Sequence, residues 1–123
     1  MISIAIIGLG TFGCRVVEEL IPTSADLIIL DKDREIVEKY KKSVVNAYIT
    51  DAINEETLRK IIPVNLSAAI VDLGNQLETS ILVTNHLKKI GVKNIIVKAK
   101  SDEHGEILTL VGATKVIYPD LDA

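Results

Sequence analysis

The sequence predicts an α/β domain with a single parallel sheet of six strands, doubly wound, covered by helices on both faces and ordered 3-2-1-4-5-6. Three observations carry that expectation. Short apolar runs alternate with amphipathic stretches along the whole chain. The runs are rich in Ile, Val and Leu, while aromatic residues make up 3% and Trp is absent, which suits strands buried on both faces. The connections are short, and β-α alternation with short loops yields right-handed parallel crossovers.

The first strand is expected at residues 2–7, an apolar run that Gly8 ends. Phe12, Val16, Val17 and Leu20 then recur on one helical face, and Pro22 stops that helix. Residues 25–30 read as the second strand, and Ile36, Val37 and Tyr40 stripe a short second helix. A weaker third strand is expected at 44–49. Asn54 caps a helix carrying Leu58, Ile61 and Ile62, which Pro63 closes. After a fourth strand at 68–71 comes the longest helix, with Leu77, Ile81, Leu82, Leu87 and Ile90 on it and Gly91 as its stop. A fifth strand at 94–97, a helix bearing Ile107, Leu108 and Val111 up to Gly112, and a sixth strand at 115–118 complete the set. Residues 1–123 thus read as one domain, and 48% hydrophobic residues are enough to fill its core.

Composition also excludes functions. A net charge of −3 without aromatic platforms argues against a nucleic-acid partner. Cys14 is the one cysteine, so no internal disulfide forms, and a reducing compartment is expected. No basic leader is visible, and no apolar run approaches the roughly 20 residues that cross a bilayer. The expectation is a cytoplasmic protein that reaches a membrane only through a partner.

Chemistry concentrates after the first strand. Gly8-Leu9-Gly10-Thr11-Phe12-Gly13 reads G-x-G-x-x-G between a strand and a helix, the setting in which this pattern marks a Rossmann-type dinucleotide turn. Gly8 permits the tight turn, Gly10 is expected to let a diphosphate approach the backbone, and Gly13 lets the helix lie close to the sheet. The free N–H groups at the helix start, at Thr11 and Phe12, are expected to face phosphate, with the helix dipole in support. Asp31, at the end of the second strand, is placed to accept the hydroxyls of an adenosine ribose and to repel a 2′-phosphate, so NADP is disfavoured. Lys32 beside it belongs to the same site and, with Arg34, acts against that exclusion. Asp33 is available to cap the next helix. Asp51 ends the third strand region near the expected adenine position; either its carboxylate meets the exocyclic amine or Ala52 offers its backbone there. Asp72 and Gly74 follow the fourth strand, across the crevice from Gly8, where a glycine allows close approach to the distal half of a ligand.

No catalytic set accompanies this site. His86 and His104 fall on expected helices without metal-ligand spacing, and His86 reads as a helix-surface residue. Cys14 has no base near it in sequence and reads as a packing residue. Nucleotide binding without acid–base machinery points to a sensor rather than an enzyme. The alternative is an NAD-binding module of an oxidoreductase, which needs a second domain to hold substrate.

The distal half narrows the reading. Val97-Lys98-Ala99-Lys100-Ser101, His104, Ile107, Leu108, Gly112-Ala113, Val116-Ile117 and Tyr118-Pro119-Asp120 resemble the regulators of potassium conductance, in their N-terminal (KTN or TrkA-N) domain. Asp51-Ala52 and Ile90-Gly91-Val92 are similar to two further turns of that family. The resemblance implies a ligand among NAD(H), ATP, ADP and AMP, a homo-dimer or larger ring, and a potassium transporter or channel subunit in the membrane as partner. It implies that Lys98 faces either the nucleotide or a neighbouring subunit. The family's usual C-terminal lobe is not expected in this chain. Thr11 stands where many nucleotide-responsive relatives carry Arg, which weakens ATP-over-ADP discrimination. Asp120 stands where some relatives place a cation-linked acid; a lone carboxylate is no metal site, and no metal is expected.

Overall fold

A computed structural model describes residues 2–51 and 54–118; Ala52, Pro119 and Asp120 lie outside them. In chain order the elements are β1 Ser3–Ile7, α1 Thr11–Leu20, β2 Asp26–Asp31, α2 Arg34–Tyr40, a 3-10 turn Lys41–Ser43, β3 Asn46–Ile49 and α3 Glu55–Ile61. They continue as β4 Ala68–Val71, α4 Leu77–Ile90, β5 Ile95–Lys98, α5 Asp102–Val111 and β6 Lys115–Ile117. The strands form one sheet in the order β3-β2-β1-β4-β5-β6, all pairs parallel, as the alternation pattern requires.

The sheet separates two cores because successive side chains of a strand point to opposite faces. On β1, Ala5 and Ile7 face one side and Ile6 the other, and all three are fully buried. Ile6 is in register with Ile29 on β2 and Ile70 on β4, and these pack with Val17 of α1 and Val37 and Tyr40 of α2. The opposite face carries Leu30, Val71, Ile95 and Val97 against Leu58, Val83, Leu87 and Leu108 from α3, α4 and α5. Burying one such Leu or Ile stabilises the fold by about 1.5–3 kcal/mol.

Helix ends follow local chemistry. Asn54 Oδ1 accepts from Glu56 N at 2.8 Å and Asp33 Oδ1 from Glu35 N at 3.0 Å, each satisfying an amide that the first turn leaves free. Gly91 adopts φ +101° and its N–H returns to the carbonyls of Leu87 and Lys88, which ends α4. The structure departs from expectation at the third strand. Val44 and Val45 stand outside β3: they follow the 3-10 turn, Val45 N donates to Leu27 O at 3.0 Å, and the paired register with β2 runs from Asn46. Val45 is 58% exposed, so its β-branched side chain gains little burial there.

Candidate functional site

Strand order reverses between β1 and β4: α1 returns to one side of β1, and the chain reaches β4 only after crossing the sheet. The loops leaving the two strands therefore diverge and leave a crevice at their carboxyl ends. A cavity of about 200 Å³ occupies it. Gly8, Gly10, Asp31, Lys32, Asp51, Asp72 and Gly74, all site candidates from the sequence, line this cavity.

Gly8 is required at its position. Its φ is +92°, and a Cβ there would stand 2.0 Å from the Asp72 carbonyl oxygen. Its N–H donates to Leu30 O at 2.8 Å, and Asp72 N donates to Ile7 O at 2.9 Å, so the ends of β2, β1 and β4 are tied together just below the crevice. Gly13 is equally constrained: a Cβ would meet Gly8 O at 2.3 Å. The first turn of α1 thus rests directly on the backbone leaving β1.

The space over Gly10 is held by an internal group. A Cβ on Gly10 would come within 2.6 Å of Asp72 Oδ2. That oxygen accepts from Gly13 N at 2.9 Å, and Oδ1 accepts from Gly74 N at 3.4 Å. Gly10 is the N-cap of α1 but has no side chain to satisfy the helix amides, and Asp72, from the end of β4, supplies the missing acceptor. The Asp72 side chain is fully buried, and Lys98 Nζ lies 3.8 Å from Oδ1. The carboxylate thus lies between the positive end of the α1 dipole and the Lys98 ammonium.

Asp31 closes the other side. Oδ2 accepts from Leu9 N at 2.7 Å and Oδ1 from Asp33 N at 2.8 Å, which positions the carboxylate at the crevice wall. Asp33, not Asp31, caps α2. Each carboxylate oxygen has two acceptor directions, so both retain capacity for a hydroxyl donor.

The remaining candidates separate from this cluster. Thr11, Phe12 and Lys98 line an adjacent hollow of about 530 Å³ along α1, together with Arg15, Val16, Glu19 and Leu20. Gly13 is buried and lines neither hollow. Sequence reasoning missed Thr50, Leu73, Gln76 and Thr79 in the crevice lining. Gln76 and Thr79 begin α4 one turn apart, and the polar Asn75-Gln76 turn after Gly74 was the available signal.

Neither histidine lines the crevice. Lys100 N donates to His104 Nδ1 at 3.0 Å, so the neutral ring carries its proton on Nε2 and donates it to Ser80 Oγ, 2.8 Å away. Ser80 in turn donates to Leu77 O. A ring bonded this way cannot remove the serine proton; it pins the β5–α5 loop to α4. Burial holds the His104 pKa below its ordinary value, which favours this neutral form. His86 is not on the open helix surface as expected: its side chain is 16% exposed, and Nδ1 lies 3.4 Å from Glu55 Oε1, between α3 and α4. Cys14 Sγ contacts Leu9 O at 3.4 Å and is half-buried in the α1 layer. Among the described residues, no group of three His, Cys, Asp or Glu is arranged to hold a metal, and no helix is long and apolar enough to cross a membrane.

Comparison with known proteins agrees with the fold. The Ktr system potassium uptake protein C of Bacillus subtilis (strain 168) is 35% identical over 118 residues, covering 96% of this chain and 53% of that protein. The chain therefore spans about half the length of the curated relatives it matches. The TrkA-N domain of the inner membrane protein ybaL from Escherichia coli superposes with a TM-score of 0.83 over 98% of this chain and 89% of that one; at 21% identity it shows the fold. GsuK bound to ADP matches with a TM-score of 0.76 and 27% identity, over 94% of this chain and 30% of that one. The family profile of the TrkA-N domain matches residues 4–119, and on that match the chain belongs to the TrkA-N domain family.

Proposed function

We propose that this chain is the nucleotide-sensing domain of a cytoplasmic regulator of potassium flux, binding an adenosine nucleotide without a 2′-phosphate in the β1/β4 crevice. The observation that carries the reading is the Asp31 carboxylate, fixed by Leu9 N and Asp33 N at the crevice wall beside the glycine turn. An acceptor pair there suits the two ribose hydroxyls, while its charge opposes a phosphate on the 2′ oxygen. The potassium uptake relatives and the ADP-bound neighbour support both halves of the proposal. The domain performs no reaction of its own. It self-associates and reaches the membrane through a transporter or channel subunit, and ligand acts by binding one arrangement of the assembly better than another.

Thermal-shift titration with NADH, NADPH, ATP, ADP and AMP tests the first step. A true ligand at 100 times its Kd stabilises the fold by about 2.7 kcal/mol. NADPH stabilising best would overturn the ribose assignment. Light scattering that finds only monomer, with and without nucleotide, overturns self-association. In a reconstituted potassium flux assay, nucleotide dependence that survives loss of binding overturns the sensor role.

A further inference from the structure

Asp72 stands out because it occupies the place where phosphate is expected. In a strand–glycine turn–helix unit, the amides at the helix start receive the ligand's phosphates. Here Gly13 N, in the first turn of α1, already donates to Asp72 Oδ2 at 2.9 Å, and that oxygen lies over Gly10, where diphosphate would approach. The side chain is fully buried, and its backbone is locked by Asp72 N–Ile7 O at 2.9 Å and by the packing of its carbonyl on Gly8. It is therefore held by several contacts and does not swing freely from the site. Lys98 Nζ lies 3.8 Å from Oδ1 and Lys32 also lines the crevice, while Asp31 and Asp51 add to its acidity, so the described lining carries three carboxylates with Asp72.

We propose that Asp72 is a resident anion that sets the phosphate charge this crevice accepts, selecting mononucleotides of low charge and dinucleotides over triphosphates. The proposal rests on the nucleotide reading above and assigns specificity within that site. The mechanism is repulsion at short range in a partly desolvated crevice, which grows with each added phosphate. A fixed carboxylate also holds the helix amides ordered without ligand, so the turn is formed before binding.

The test uses AMP, ADP and ATP, which share one adenosine and differ in phosphate charge, measured by calorimetry on the full chain. The unaltered protein should hold AMP at least as tightly as ATP at low salt. Asp72→Asn keeps the shape and an acceptor for Gly13 N while removing the charge. It should raise the ATP:AMP affinity ratio about tenfold, a modest share of what one unit charge exerts at this range. The change should shrink at high salt. Asp72→Ala should move the ratio in the same direction.

Three results overturn the proposal while leaving the nucleotide site intact. One is tighter binding of ATP than AMP by the unaltered protein, a measurement that needs no variant to fold. Another is an unchanged ratio in Asp72→Asn. The third is equal gains for all three nucleotides in Asp72→Ala with none in Asp72→Asn, which would make Asp72 a steric plug. If neither the unaltered protein nor the variants bind any of the three or NADH, the nucleotide reading fails with it.

Discussion

Replacing Gly13 by Ala tests how tightly the turn is built. In an exposed helix this change would stabilise by about 1 kcal/mol, because Ala is the better helix former. Here the new Cβ would stand 2.3 Å from Gly8 O, about 1 Å inside ordinary contact. The obstacle is backbone, and Gly8 cannot yield because its own N–H is bonded to Leu30 O and its Cα abuts Asp72 O. The start of α1 must lift away. Overpacking of this kind costs about 1–3 kcal/mol. Lifting α1 also weakens the Gly13 N–Asp72 hydrogen bond, and a bond to a charged acceptor is worth about 1.5–3 kcal/mol. Against the helix gain, the net expectation is a loss of roughly 1.5–5 kcal/mol. Urea unfolding followed by circular dichroism reads it directly, with Gly74→Ala as the control. Gly74 has φ +60° and nothing within 4 Å of a Cβ, so that variant suffers only the backbone term of about 1–2 kcal/mol. Gly13→Ala as stable as the unaltered chain, or more so, would refute the close contact of α1 with the turn.

Two further outcomes are expected. Asp31→Ala should reduce nucleotide affinity at least tenfold and also lower stability by about 1–3 kcal/mol, since it strands the buried Leu9 N–H; Asp31→Asn, which keeps an acceptor for that N–H, should separate the two effects by losing affinity with less loss of stability, and equal affinity in all three proteins by calorimetry would remove Asp31 from the site. His104 is held below its ordinary pKa of 6.5 by burial, so the unfolded chain takes up the proton first on acidification. Its contribution to stability is fully present above that value and is lost as pH falls through the lowered folded pKa; urea midpoints in His104→Gln should show a shallower fall over this window, and an unchanged slope would contradict the Lys100–His104–Ser80 chain.

Much of this domain is written in short windows of sequence. The run before Gly8, the glycine spacing to Gly13, the Asn54 cap and the Gly91 stop each act through the local backbone, so they determine element type and limits wherever the segment lies. Strand order follows from β-α alternation and the handedness of crossovers, which needs no knowledge of individual contacts. Asp31 was legible because one crossover length separates it from the glycine turn. The edge strand was harder: β3 is bordered on one side only, and local apolarity at Val44 and Val45 did not reveal where pairing begins. The character of the site was decided at longer range. Asp72 meets Gly13 across 59 positions of chain, Lys98 reaches Asp72 from the next strand, and Ser80 meets His104 across 24. Periodicity identifies which face of an element is buried, but the side chain that fills the space over Gly10 depends on the register of β1 against β4 and on the seating of α1. Those relations exist only once the sheet has closed, and they place a carboxylate where the glycine motif alone predicted open space for phosphate.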